Sequence, residues 1–357
     1  MAWQVCTAMQ ADKEARLACF DRWAQQQRAE PPGLAGADAA KPAGATPSAA
    51  VPLAAQPALT IQVSSAPEAD CASQAYSELS RFWELEAATD CDTFGLRGYH
   101  PISLSVIESN SVNTQPSTPS PGHTSATSVP YRKTEARIEL SVRTKMAQGL
   151  LTGQDLEHRD SLWFAYSQQS YWQIFSGPIS RPFRDTGHEP EFIYIYPADA
   201  RLPLGWRLRY GGLGLVHQSN GQGLPLSRSW NRVYLMAGME HGSRFSLTAR
   251  AWARLPEQAA DDDNPDIADH VGRAELAANW SLGPANTLGL TLRHSLRADA
   301  RGSTRLDWFR TLGNRPSASR PSALRLHTQL FSGYGDSLVD YNRRRTVLSL
   351  GLSLVDF

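Results

Sequence analysis

Leu348-Ser349-Leu350-Gly351-Leu352-Ser353-Leu354 puts a leucine at every second position and a serine or glycine between. Side chains of an extended strand point alternately to opposite faces, so this stretch has one apolar face and one small, polar face. The pattern recurs upstream. Ala136, Ile138, Leu140 and Val142 alternate with Arg137, Glu139, Ser141 and Arg143, and Leu288, Leu290 and Leu292 alternate with Gly289, Thr291 and Arg293. Such rows predict strands near 101–109, 134–148, 160–175, 189–198, 206–219, 230–240, 245–255, 271–282, 286–297, 303–312, 322–333 and 346–357. That is an even number, with alternately short and long connections. The expected fold is all-β: a twelve-stranded antiparallel transmembrane β-barrel with lipid outside and polar residues inside.

Alternation also fits a soluble β-sandwich or barrel, whose larger apolar side chains would fill a core, and sequence alone does not tell inside from outside. Composition bears on the choice. No run of about 18 apolar residues exists, which excludes a transmembrane helix. A hydrophobic content of 41% and a negative mean hydropathy suit strands whose two faces average out. Ten tryptophans, eleven tyrosines and eleven phenylalanines suit interfacial girdles. Phe357 closes the last strand, as in many bacterial outer-membrane barrels, but stands out of step with the leucine row, so a twist or bulge is expected there.

Thirty-five basic and 35 acidic side chains cancel, which removes the electrostatic argument for nucleic-acid binding. Three segments are expected. Residues 1–28 contain a short helix over 11–27, with Leu17, Phe20 and Trp23 or Ala24 at helical spacing. Residues 29–75 are an Ala/Pro-rich linker, and 76–357 form the barrel, with 110–130 as a long Ser/Thr/Pro loop. Cys6, Cys19, Cys71 and Cys91 all precede the strand-rich part. An even count fits one or two disulfides in an oxidising compartment, with the pairing open, and the spacings do not suit zinc. Met1-Ala2-Trp3-Gln4-Val5-Cys6 shows neither a basic nor an apolar leader region, so export requires a signal outside this stretch.

The chemistry concentrates in His217-Gln218-Ser219 and Ser227-Arg228-Ser229-Trp230-Asn231. On a strand His217 and Ser219 share a face with Leu213 and Leu215, and Asn231 is in line with Val233, Leu235 and Ala237. Trp206, Leu208 and Tyr210 are out of step, so Gly211-Gly212 is expected to be a bulge that resets the phase. A serine hydroxyl is a poor nucleophile until a base takes its proton, and neutral imidazole does so near neutral pH. The second ring nitrogen needs an acceptor, which the Asn231 carbonyl can supply without placing a carboxylate beside lipid. All three residues fall on apolar faces, where a polar side chain is costly and usually has a purpose. Taken as bare pattern, His-x-Ser equally fits a rim histidine bonded to a loop.

The stretch His217–Tyr234, with Ser170-Tyr-Trp-Gln173, Arg181-Pro-Phe-Arg-Asp-Thr186, Glu189-Pro190, Asp262-Asp-Asn-Pro-Asp266 and Phe331-Ser-Gly-Tyr-Gly-Asp-Ser-Leu-Val-Asp-Tyr-Asn342, resembles bacterial outer membrane phospholipase A. The likeness covers roughly residues 90 to 357. It implies a twelve-stranded barrel that hydrolyses acyl esters of glycerophospholipids in the outer membrane, requires calcium and becomes active as a homodimer. It also implies Ser219 as nucleophile, His217 as base and Asn231 as the residue that orients the base. The implied calcium ligands are the main chain of Gln222, the hydroxyl of Ser227 and Ser180 of the partner subunit, with Asp263 assisting through water. Gln168 is implied at the dimer interface, in a row otherwise largely apolar or aromatic. Two departures stand out: Gln222 replaces an arginine, and Leu224 replaces an aspartate that helps hold calcium in the monomer. Set against the phospholipase are a non-catalytic outer-membrane pore or adhesin barrel and a soluble esterase. On the bland reading, Asp262, Asp263 and Asp266 form a solvated acidic loop and Gln168 is a rim amide that finds water.

Overall fold

Neighbouring strands pair all the way round until the last meets the first. The computed structural model describes residues 15, 17–19, 73, 75–153, 155, 157–312 and 323–355. The chain divides into two units, 1–63 and 64–357. In the first, residues 15 and 17–19 are helical, and the rest of the expected helix and most of the linker lie outside the described residues. Cys19 and Cys91 are each disulfide-bonded, and no described cysteine is free.

The second unit contains β1 (Leu96–Gly98), β2 (Ile102–Ser109), β3 (Thr134–Gln148), β4 (Ser161–Trp172), β5 (Asp185–Arg201), β6 (Trp206–Ser219), β7 (Ser229–His241), β8 (Phe245–Arg254), β9 (Ala274–Gly283), β10 (Asn286–His294), β11 (Gly302–Thr311), β12 (Ala323–Gly333) and β13 (Arg345–Val355). From β2 on, each pairs antiparallel with its sequence neighbour, and β13 pairs with β2 to close the sheet. β1 and β2 both run along β3, with Leu96 opposite Thr144 and Ser103 opposite Glu139. They are one stave interrupted at Tyr99-His100-Pro101, where proline has no N–H to give the ladder. The barrel therefore has twelve staves, as expected.

Exposure decides which face is inside. Leu350 is 57% exposed and its neighbour Ser349 1%. Leu104, Leu213, Leu235, Leu290, Leu306 and Leu330 face out, whereas Ser105, Arg137, Lys145, Asp307 and Gln329 are buried in the lumen. A soluble barrel has the opposite polarity, so this wall is built for lipid.

The lumen is filled by side chains. Arg137 donates to Gln329 Oε1 at 2.7 Å, and Gln329 Nε2 donates to Asp307 Oδ1 at 2.8 Å. A short helix, α1 (Glu78–Trp83), plugs the lumen among side chains from the wall. Its Ser77 N-cap accepts from the Ser80 N–H at 3.3 Å, and Trp83 packs edge-on against Trp163 and Tyr210, each 5.8 Å away. Immediately after it, Glu84 accepts from Lys145 Nζ and pairs with Arg97 Nε, both at 2.6 Å.

Three expectations need correction or qualification. The phase of β6 resets at Arg209 and not at Gly211-Gly212: Leu208 opposes Met239 and Tyr210 opposes Gly238, leaving Arg209 unpaired in the register. Arg209 and Tyr210 are consecutive and both buried, because the bulge turns the guanidinium inward to Glu240, 3.2 Å away, and to Glu86. β9 starts at Ala274, since Ile267–His270 forms a short helix, α2. Phe357 and its expected irregularity lie outside the described residues.

Connections 110–133, 173–184, 220–228, 255–273 and 334–344 gather at one end, and the tight turns 202–205, 242–244 and 284–285 at the other. Outer-membrane barrels carry long loops outside and short turns in the periplasm. The β6–β7 hairpin therefore presents its loop at the outer leaflet.

Candidate active site

The β6–β7 register brings the sequence candidates together. His217 lies directly opposite Asn231, and Ser219 opposite Ser229. Past the Arg209 bulge, odd-numbered residues of β6 face out, so His217 and Ser219 continue the exposed row of Leu213 and Leu215. His217 Nδ1 lies 2.9 Å from Asn231 Oδ1. Among the described residues the Ser219 hydroxyl makes no side-chain hydrogen bond, which leaves it available to a substrate. Sequence reasoning missed the next residue in the chain of contacts: Asn231 Nδ2 donates to Glu257 Oε1 at 2.9 Å. Glu257 lies beyond β8, and no local pattern singles it out.

The 220–228 loop is braced from within. Buried Asn220 donates to Leu226 O at 2.8 Å and accepts from the Arg228 N–H at 3.0 Å. The Gln222 amide donates to Arg184 O at 3.2 Å and to Asp185 Oδ1 at 3.3 Å, so this side chain anchors the loop. Leu224 stands at the loop tip, 67% exposed.

The aspartates are not a solvated loop. Asp263 Oδ2 accepts from Ser227 Oγ at 2.6 Å and from Ser229 Oγ at 3.3 Å, and Oδ1 meets His123 Nε2 at 2.9 Å. Thr118 Oγ1 donates to the Asp263 carbonyl at 2.8 Å, so the long 110–133 loop is docked on the acidic segment. Asp262 accepts from Arg254 at 2.6 Å, and Asp266 accepts from the Tyr341 hydroxyl. Burial and that carboxylate together push the Tyr341 phenol well above its ordinary value. His123 was also absent from the sequence expectations, because loop docking is a long-range event.

Ser180 stands apart. Its hydroxyl donates to Gly177 O at 3.2 Å within the β4–β5 connection and shares no hydrogen bond with Gln222, Ser227 or Asp263. Gln168 lies on the same outer rung as Ser219. Leu140, Gln168, His188, Ser219 and Ser229 are successive cross-strand partners, one outer rung over β3 to β7. Neighbouring strands lie about 4.8 Å apart, so Gln168 is only about 10 Å from Ser219. Its amide is occupied locally, accepting from Tyr166 at 3.2 Å and donating to Ser170 at 3.1 Å, while Tyr166 also bonds to His188 Nδ1 at 2.7 Å.

A hydroxyl, an imidazole and an amide in line on a lipid-facing wall suit attack on an acyl ester that arrives laterally from the membrane. A family model described as Phospholipase A1 matches residues 79–354. The putative phospholipase A1 of Neisseria meningitidis serogroup B is 33% identical across 98% of this chain and 90% of its own length. Among solved structures, the outer membrane phospholipase A of Escherichia coli superposes with a TM-score of 0.62 at 29% identity, over 75% of this chain and 94% of that one. A calcium-bound dimer of the Salmonella typhi outer membrane phospholipase gives the same TM-score and identity, over 74% and 93%. The chain belongs to the phospholipase A1 family and is a phospholipase A of the bacterial outer membrane.

Proposed function

We propose that this phospholipase cleaves acyl esters of glycerophospholipids with Ser219 as nucleophile, His217 as general base and Asn231 as the residue that holds the base. The observation that carries the reading is the 2.9 Å contact between His217 Nδ1 and Asn231 Oδ1 on the row that bears Ser219. With Nδ1–H given to Asn231, the imidazole keeps Nε2 as the basic nitrogen. Ser219 Oγ attacks the ester carbonyl as Nε2 takes its proton, and the imidazolium then protonates the departing alcohol. Water, deprotonated by the same nitrogen, releases the fatty acid from Ser219. The acyl chain lies against the leucine-rich outer wall, so the ester reaches the hydroxyl without leaving the bilayer.

The oxyanion needs a stabiliser, and the donors present fit calcium. Among the described residues no three His, Cys, Asp or Glu side chains gather into a metal cluster. A cation here would therefore rely on hydroxyl and carbonyl oxygens, the hard donors calcium takes. Ser227 Oγ supplies one, the Gln222 main chain lies in the same loop, and Asp263 Oδ2, 2.6 Å from Ser227 Oγ, would assist through water. Ser180 of the partner subunit would complete the set in a homodimer joined near Gln168. When bound, calcium would supply positive charge beside the developing oxyanion.

Ser219→Ala should lower acyl release from phospholipid micelles by about a thousandfold or more while the barrel stays folded. Chelator should silence the wild type and added calcium restore it. Retained hydrolysis by the alanine variant would sink this reading.

A further inference from the structure

The neutral end of the triad is tied to a charge. Asn231 Nδ2 lies 2.9 Å from Glu257 Oε1, while Glu257 Oε2 accepts from Arg254 Nη2 at 3.0 Å. Arg254 Nη2 also donates to Asp262 Oδ1 at 2.6 Å. Arg254 Nη1 donates to the carbonyls of Asn264 and Pro265 at 3.2 and 3.1 Å, which fixes the guanidinium against the acidic segment. Asp262 precedes Asp263, whose carboxylate takes the Ser227 and Ser229 hydroxyls.

An asparagine amide is symmetric in shape and ambiguous in chemistry. Turned one way it offers His217 a carbonyl, turned the other an NH2. An ionised carboxylate accepts hydrogen bonds and donates none. With Glu257 on its far side, Asn231 must direct NH2 at Glu257 and its carbonyl at His217. Nδ1 of His217 must then carry the proton, which leaves Nε2 unprotonated for Ser219. The reversed amide would set its carbonyl oxygen against the carboxylate, a repulsive contact, and would offer His217 an NH2 that pairs only with an unprotonated Nδ1, moving the ring proton to Nε2 where Ser219 needs a base.

We propose that Glu257 is a positioning residue that sets the Asn231 amide, and through it the His217 tautomer, and that Arg254 anchors it to the acidic segment. This inference rests on the Ser219–His217–Asn231 reading and extends it by one residue. It also accounts for a neutral asparagine in the triad: the orienting charge stands one residue further back, in the loop layer instead of against lipid.

A kinetic double-mutant cycle tests it, using the full chain in phospholipid micelles at saturating calcium. Glu257→Ala should lower kcat about tenfold with KM unchanged, as expected for loss of an orienting partner. Glu257→Gln keeps an acceptor oxygen for Asn231 and should recover most of that loss. In an Asn231→Ala background, adding Glu257→Ala should cost less than about twofold, because the residue acts only through the amide. If the alanine variant does not fold, Glu257→Met replaces it, matching the length without an acceptor. Wild-type kcat in Glu257→Ala, or the same tenfold loss with and without Asn231, overturns the proposal. Ser219→Ala runs alongside. Activity in that control overturns the triad itself, whereas a silent control beside an unimpaired Glu257 variant overturns the role of Glu257 alone.

Discussion

Beneath the hairpin that carries His217, Ser219 and Asn231, two glycines make room for two tyrosines. Gly214 opposes Tyr234, and Gly238 opposes Tyr210. A Cβ on Gly214 would fall 2.0 Å from Tyr234 Cζ, and one on Gly238 2.1 Å from Tyr210 Cε1. Each ring thus lies flat over the glycine across the ladder, a device that covers a bare backbone and fixes register. Tyr234 also donates to Glu191 Oε2 at 2.7 Å inside the lumen. Gly214→Ala should push the ring off that carboxylate and lower stability by about 1–3 kcal/mol, the usual cost of overpacking. A urea titration of the refolded barrel would measure it, and an unchanged midpoint would mean that the ring moves freely. The pairing bears on the proposed site because Gly214 and Tyr234 stand three residues from His217 and Asn231 on the same two strands.

Positions fixed by strand parity were legible in the sequence. His217, Ser219 and Asn231 fall on outward rows because parity along a strand is fixed by covalent geometry. Glu257 and His123 were not legible. His123 reaches the site through the long 110–133 loop, and Glu257 stands just past β8, where the Leu255 N–H still bonds to Asn231 O at 2.9 Å, so neither lies on a row whose periodicity points to it.

At the scale of elements, all twelve staves could be read, with ends displaced by up to four residues (β5 spans Asp185–Arg201 where 189–198 was expected), since the lipid-facing and lumen-facing sides differ so sharply in polarity. Plug helix α1 was missed. It is only six residues long, too short for a helical period to stand out. The Arg209 bulge was displaced by two residues because glycine marked the easier place for a break, whereas the buried partner that holds a bulge cannot be seen in sequence. A second unforeseen element is the β3–β4 connection, which is organised by Asp160. That carboxylate accepts from the Leu151 and Thr152 N–H groups at 3.0 Å each, and from the Thr152 and Tyr194 hydroxyls at 2.6 Å each. Burial works to raise its pKa, but these four hydrogen bonds prevail and hold it at about 2. A carboxyl depressed on folding contributes stability that is complete above its ordinary value near 4 and lost as pH falls through about 2. Asp160→Asn should therefore melt below the wild type at neutral pH, with the gap between the two midpoints closing from pH 4 to pH 2. A gap that stayed constant over that interval would show that the charge is not what organises the turn.

For the whole molecule, the outer rung of Leu140, Gln168, His188, Ser219 and Ser229 sets the proposed dimer interface beside the chemistry. Lipid competes for every apolar contact on this wall, so leucines alone give two barrels little reason to associate. A buried amide is different. Two Gln168 side chains related by a twofold axis can exchange hydrogen bonds that lipid cannot replace. Such contacts contribute about 0.6 kcal/mol on average and up to ~2 kcal/mol. Much of that range is offset here by the bonds Gln168 already makes to Tyr166 and Ser170. Gln168→Ala should then shift the monomer–dimer midpoint by no more than about threefold in protein-to-detergent ratio. If Ser180 of the partner subunit completes the calcium set, activity must follow the dimer. The variant should be impaired at high detergent dilution and approach wild-type rates when concentrated, with crosslinked dimer tracking both. Leu290→Ala on β10, which is not part of that rung, serves as the control and should move neither curve. A Gln168 variant equally impaired at every dilution, with crosslinking unchanged, would place the glutamine in the active site of a single barrel and remove the partner from the mechanism.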